Sequence, residues 1–354
     1  SNTGRRECFD NNTNFFTSVA WVAKARLQLE FYQVGNSGVR LSRIALGGHE
    51  YLPNGNSRGF NEDFQKAITP GYIFPGFGGE KRKALVKAAY DAGVNFFDVT
   101  HDSEKEALGR NLTEMPPPYP VYVRTRGELM NYSYDPGNQK MTDLGLLRAE
   151  VQRILKLMRR ERLELLNLGI LRGALDDPEF TAKITANVKA LQKEGLILLA
   201  AADTFSGQET YMAMMASGAF ATLNINFNVA DDYPERKIFP FARKQNMRVV
   251  VREAFIKGVL FRLAREAGIG DDGLIARAGM KWLASRPGID SVIMGSDTAE
   301  HFRDNLRAFQ NPKLDDAENA ALEKLRTHPS FVALKKQKDE EFSAGTAIGQ
   351  RAAL

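Results

Sequence analysis

Four arginines, Arg124, Arg126, Arg172 and Arg252, stand at or just past the ends of apolar, β-rich runs, and the carboxylates Asp98, Glu128, Asp203 and Glu253 stand at similar places. A guanidinium group withdrawn from water needs a carboxylate or phosphate partner. Two outcomes are open: the arginines pair with those four carboxylates as an internal network, or they hold an anionic ligand. His49 and His101 follow two neighbouring runs. Imidazole titrates near neutral pH, so His101, three residues beyond Asp98, can carry a proton in a reaction. A divalent ion on His49, Glu50, Asp98 and His101 is chemically conceivable. Their spacing matches no ligand motif, and no metal is expected.

The elements that would position these groups alternate along the chain. Apolar-alternating runs at 29–34 and 39–46 flank Asn36-Ser37-Gly38, a hairpin signal. Helical spacing from Glu80 to Asp91 stops at Gly93, and a β-rich run, Val94 to Val99, follows. Further strands are expected at 120–125, 163–171, 196–202, 220–227, 247–253 and 289–294. Helices are expected at 143–160, 178–194, 207–217, 234–245, 272–286 and 299–309. Strands separated by single helices pair in parallel through right-handed crossovers. With 43–48 as the first, eight strands close a (β/α)8 TIM barrel. An open doubly wound sheet is weaker, because no GxGxxG follows any strand. In such barrels the chemistry sits where strands end, the place the polar residues above occupy.

Composition excludes several classes. The net charge of +5 is spread without a dense basic run, which argues against nucleic-acid binding. The lone cysteine, Cys8, excludes an intrachain disulfide and a multi-cysteine zinc site. No apolar run is long enough for a membrane span. Arg5-Arg6 ahead of Phe15–Ala23 hints at an export signal, but polar residues 10–14 interrupt it, so a cytoplasmic protein is expected. The domain reading is an N-terminal extension (1–28), a barrel (29–320) and a C-terminal tail (321–354). An aromatic and glycine-rich insertion at 54–79 reads as a lid, since a loop this long in a compact domain is usually functional or disordered.

Three segments carry a resemblance. FYQVGNSGVRLSRIALGG (31–48), AAYDAGVNFFDVTHDSEKEALGRNL (88–112) and WLASRPGIDSVIMGSDTAEHFRDNL (282–306) occur in this order. They resemble the opening, second and eighth units of aldo-keto reductases, and the match runs from about 29 to 315. It implies the barrel, with an N-terminal β-hairpin plugging its bottom, and reduction of carbonyls by NAD(P)H through a Tyr flanked by Asp, Lys and His. The Asp corresponds to Asp98. No tyrosine follows it, the Lys position is Arg126, and the His position is Arg172. Arginine stays protonated and is a poor proton donor. His101, Tyr51 and Tyr72 are the possible replacements, and simple aldehydes should be poor substrates.

The resemblance also implies cofactor positions. Asp203, Thr204 and Asn224 fall where the family grips the nicotinamide amide, and Phe227 where an aromatic stacks on the ring. Gly295 and Ser296 fall at the phosphate-binding amides, and Asn305 on the adenine side. Asp297 takes a position that is basic in the family, so specificity for NADP is doubtful. The expected function is an oxidoreductase with an altered tetrad, acting on a small anionic carbonyl or hydroxy compound. The alternatives are a lyase, dehydratase or isomerase on the same barrel, or a non-catalytic binding relative.

Overall fold

The computed structural model describes residues 29–345. The N-terminal features expected within residues 1–28, Cys8 among them, lie outside the described residues. An antiparallel hairpin comes first: β1 (Phe31–Gln33) and β2 (Arg40–Ser42). Eight parallel strands follow: β3 (Ile44–Gly47), β4 (Phe96–Asp98), β5 (Tyr122–Arg126), β6 (Leu163–Gly169), β7 (Ile197–Asp203), β8 (Thr222–Asn226), β9 (Arg248–Arg252) and β10 (Ser291–Met294). They pair in sequence order, and β10 returns to β3 to close the barrel.

The helices are α1 (Phe64–Ile68), α2 (Glu80–Ala92), α3 (Asp102–Glu114), α4 (Leu144–Leu157), α5 (Phe180–Lys193), α6 (Gly207–Ala216), α7 (Ile238–Lys244), α8 (Val259–Glu266), α9 (Asp272–Ser285), α10 (Ala299–Gln310), α11 (Asp316–Thr327) and α12 (Pro329–Ala344). Aspartates cap several of them by accepting from first-turn amides: Asp143 on α4, Asp271 on α9 and Asp315 on α11. None of the described helices is long and apolar enough to cross a membrane.

The barrel interior changes character along its axis. At the bottom, Val34, Val39 and Leu41 of the hairpin segment pack with Ala45, Phe96, Leu165, Leu199, Val250 and Ile293 in one buried cluster. The hairpin therefore plugs the barrel as expected. Strand side chains repeat on one face every second residue. Two residues beyond Phe96, Tyr122, Leu165 and Val250 come Asp98, Arg124, Asn167 and Arg252. An apolar floor thus carries a polar layer at the mouth.

Two features differ from the sequence reading, for physical reasons. Helix α3 was not expected, because its first turn buries Asp102, Ser103, Glu104 and Lys105, and buried polar residues leave no apolar period to read. The C-terminal tail read at 321–354 is helical over its described part: α11 begins at Asp316, and α12 buries Phe331 and Phe342. The end of α12 rests on the start of α6, where a side chain at Gly207 (φ 78°) would strike the Phe342 carbonyl. Only glycine permits that approach.

Candidate active site

The β7–β9 side of the mouth is closed on itself. Asp203 accepts from Arg252 Nη1 at 2.6 Å on Oδ2 and from Nη2 at 2.9 Å on Oδ1. Asn167 and Asn224, on the strands flanking β7, both donate to the same Oδ2, at 3.0 and 3.2 Å. Arg252 Nε donates to Asn226 Oδ1 at 2.7 Å. Burial alone would raise the Asp203 carboxyl, but the Arg252 guanidinium outweighs it and holds the group below its usual range. Such bidentate pairing in a dry site is strong and rigid.

The β3–β4 side is more open. Asp98 accepts Arg124 Nε at 2.9 Å and Nη2 at 2.7 Å, both on Oδ1, which leaves Oδ2 without a protein partner among the described residues. Burial raises this carboxyl, against the pull of Arg124. Next to it, His49 Nδ1–H donates to Glu104 Oε1 at 2.5 Å. Glu104 is fully buried in the first turn of α3, and its Oε2 accepts the Thr100 amide at 2.7 Å. Burial would raise Glu104, yet the imidazoles of His101 and His49 hold it well below its usual range. An ionised carboxylate only accepts, so the proton of the His49–Glu104 bond sits on Nδ1. Burial would lower His49, and Glu104 reverses this and raises it. The His49 side chain stays 39% exposed, and its Nε2 has no partner among the described residues.

His101 lies on the other side of the same carboxylate and is sealed. It is fully buried, with Phe60 and Phe77 edge-on to its ring at centroid distances of 5.1 and 5.3 Å. Its Nε2 lies 3.0 Å from Glu104 Oε1 but off the hydrogen-bond direction, and neither ring nitrogen has a hydrogen-bond partner. The expected route for His101 to the mouth is therefore closed by the 54–79 insertion. That insertion is ordered around a small core of Ala67, Phe74 and Phe77 packed on Ala107. The Gly71 amide donates to Asp102 at 2.7 Å and the Phe74 amide to Ser103 at 2.9 Å, which fastens it to α3. Phe60 also meets His49 edge-on at 5.9 Å.

Beneath the insertion lies a charge network absent from the sequence reading. Lys105 Nζ, fully buried, donates to Asp102 at 2.8 Å and to Glu128 at 3.3 Å. Arg153 joins Asp102 to Glu150. Arg126 reaches this network only weakly: its Nε is 3.7 Å from Glu128 and makes no hydrogen bond. Arg172 donates its backbone amide to Ser206 Oγ at 3.0 Å, while its side chain is exposed, lies by Gly345 at the end of α12 and has no carboxylate within salt-bridge reach among the described residues. Glu50 accepts the Gly78 amide at 2.5 Å and faces Arg58, so it belongs to the insertion rather than to a cluster with His49.

A barrel plugged by a hairpin, with a polar mouth at the strand ends, is the architecture the three sequence segments imply. The family model described as the aldo/keto reductase family matches residues 76–273, more than half of the chain. The chain belongs to the aldo/keto reductase family. Among solved structures it is similar to AKR11C1, an aldo-keto reductase from Bacillus halodurans solved in its holo form, at 16% identity and a TM-score of 0.60. That match covers 84% of this chain and 96% of that one. It is also similar to an assigned aldo-keto reductase of Pseudomonas aeruginosa, at 17% identity and a TM-score of 0.56, over 82% of this chain and 97% of that one. At these identities the likeness is one of fold. No curated protein sequence matches significantly.

An aldo/keto reductase binds a nicotinamide nucleotide, and the residues present fit one in part. Asn224 Oδ1 is buried without a partner and can accept from a carboxamide. Thr204 Oγ1 accepts the Ser206 amide at 2.9 Å, which leaves its proton free to donate. Asp203, bound to Arg252 and two asparagines, has little capacity left. Phe227 is fully buried away from the mouth, stacked on Trp282 at 5.5 Å and packed on Phe239 at 4.8 Å, so it offers no face to a ring. Tyr51 lies over Gly295 so closely that any side chain there would meet its hydroxyl, and burial pushes that hydroxyl up to about 12. Ser296 accepts from Asn305 at 3.5 Å. Asp297 accepts from His301 Nδ1 at 2.6 Å and pairs with Lys81 at 3.4 Å.

Proposed function

We propose that this aldo/keto reductase interconverts a carbonyl and an alcohol on a small compound that carries a carboxylate or phosphate, with a nicotinamide nucleotide as hydride carrier. The observation that carries the reading is the contrast among the mouth arginines. Arg252 is spent on Asp203 and Asn226, whereas Arg124, bound to Asp98, keeps a buried Nη1 without a partner among the described residues. Arg126, at the family's Lys position, keeps a buried Nε without a hydrogen bond, and Arg172, at the family's His position, is exposed and pairs with no carboxylate among the described residues. A buried guanidinium donor without a partner calls for an acceptor, and a fork of donors matches a carboxylate or phosphate. Asn224 and Thr204 hold the carboxamide, and Ser296 with Asn305 the distal half of the nucleotide. NADPH binds no more tightly than NADH, because Asp297 opposes a 2′-phosphate and Lys81 and His301 only offset it.

The test compares pyruvate, glyceraldehyde 3-phosphate and 4-carboxybenzaldehyde with uncharged benzaldehyde, using NADH and NADPH. Wild-type protein should favour the anionic carbonyls. Arg172→Ala should cost about 2–4 kcal/mol in kcat/KM for them and little for benzaldehyde. Equal effects on both kinds of carbonyl would remove Arg172 from the substrate site. One observation favours a second reading, an acid–base lyase, dehydratase or isomerase: Arg252 occupies Asp203 where the family binds the carboxamide. Nucleotide titration followed by tryptophan fluorescence separates the two, since the second reading requires no binding.

A further inference from the structure

We infer that His49, held by Glu104, is the group that exchanges a proton with the substrate oxygen, in place of the tyrosine used elsewhere in the family. The inference rests on the carbonyl reading above. A proton donor at this mouth must be ionisable near neutral pH, open on one side and fixed on the other. Each alternative fails one of these conditions. His101 is fully buried between Phe60 and Phe77. The Tyr51 hydroxyl lies over Gly295, and desolvation pushes its ionisation further from neutrality. Tyr72 packs on Phe74 at 5.0 Å in the core of the insertion. Arg126 and Arg172 do not release protons.

His49 meets all three. It follows β3, whose Gly47 is the register partner of Asp98, so the imidazole stands beside the strand end that carries the family's catalytic aspartate. Its Nδ1–H is fixed on Glu104 at 2.5 Å, and Glu104 is itself fixed by the Thr100 amide. With Nδ1 committed, Nε2 is the nitrogen that gains and loses a proton, on a side chain that is 39% exposed. The arrangement is a carboxylate-oriented imidazole, in which the buried anion sets the tautomer and favours the cation. Phe60 of the insertion braces the ring edge-on.

A bound reduced nicotinamide nucleotide would supply the hydride, a proton with two electrons, to the carbonyl carbon. As that C–H bond forms, the π pair of the carbonyl moves onto oxygen. The Nε2–H bond of His49 breaks and its proton completes the hydroxyl. The imidazolium becomes neutral imidazole and keeps Nδ1–H on Glu104. Alcohol oxidation runs the same path backwards, with Nε2 as base.

Every group facing the ring bears on its charge. Glu104 from α3 and Asp98 from β4 favour the cation, whereas Lys257, from the connection after β9, opposes it. Buried His101 shares Glu104 from the far side. The reductive kcat should therefore fall as pH rises through a value above that of an ordinary histidine.

Two measurements on the full chain decide this. In the first, the imidazole signals are titrated by NMR. The His49 midpoint should lie above the ordinary 6.5 and drop in Glu104→Gln; an unmoved midpoint overturns the role of Glu104. In the second, wild type and His49→Gln are compared on the three anionic carbonyls above. His49→Gln should lower kcat about 10²- to 10⁴-fold, abolish the alkaline limb of the pH profile, and leave KM and nucleotide binding nearly unchanged. Glu104→Gln should move the limb to lower pH. A His49→Gln protein active within a few-fold of wild type overturns the proton-transfer role alone. A wild type that reduces none of the carbonyls with either nucleotide overturns the carbonyl reading, and this inference with it.

Discussion

The two sides of the barrel mouth each hold a buried carboxylate, and they differ in what the partners have left over. Asp203 is met by four donors from Arg252, Asn167 and Asn224, and Arg252 spends its remaining Nε on Asn226. Glu104 is equally well held, but one partner, His49, is part-exposed and has a second nitrogen without a partner among the described residues. Saturation makes the first arrangement a girder. An unspent group on an oriented ring makes the second available for chemistry. Burial and charge are similar on the two sides, so neither marks the reactive one. Residual valence does.

That contrast is sharpest where it predicts opposite consequences of removing one partner. On the saturated side, Arg252→Ala leaves a buried carboxylate uncompensated, and urea unfolding should show a loss of about 3–5 kcal/mol. A loss below about 1 kcal/mol would mean that water or another cation already serves Asp203, and the girder description would fall.

On the open side, Glu104→Gln should cost less, about 1.5–3 kcal/mol, and the cost should depend on pH. His49 is raised, so the contribution it gains from the pair is full below its ordinary 6.5 and fades as pH rises through the raised value. Glu104 is depressed, so its share is full above its ordinary 4.5 and fades only as pH falls through the depressed value. The difference between wild type and Glu104→Gln should therefore peak between pH 4.5 and 6.5. A difference that is flat with pH would show that the two groups do not share charge.

The saturated side is also buttressed from outside, where the end of α12 rests on Gly207. Gly207→Ala meets both a left-handed backbone and the Phe342 carbonyl, and should cost about 1–2 kcal/mol by thermal unfolding. Because this contact is remote from His49, the His49 midpoint should not move. The smallest effect is expected at the nucleotide's distal end. Lys81 is exposed and only offsets Asp297, so Lys81→Ala should shift relative affinity from NADPH towards NADH by a few-fold in a fluorescence titration.

The barrel was legible because it depends on patterns that repeat along the chain. Alternation, helix stops and strand spacing placed the eight strands, and the floor residues Phe96, Leu165 and Val250 follow from period two alone. Helix α3 escaped because it buries Asp102, Glu104 and Lys105 rather than leucines. Its sequence signal was an acidic first turn after a strand, a helix-start feature easily passed over beside a missing apolar face. With α3 went Glu104, and with Glu104 the meaning of His49.

The sequence by itself determined which residue types stand at the strand ends: that a tyrosine is missing, that arginines replace lysine and histidine, and that four carboxylates are near. Those follow from register along one chain. Which carboxylate meets which arginine, which of two histidines is sealed by Phe60 and Phe77, and whether Phe227 turns to the mouth or to Trp282 were decided only in the tertiary structure. Such choices are made between segments distant in sequence, by packing that excludes water from one nitrogen and leaves another exposed. No local pattern encodes that competition.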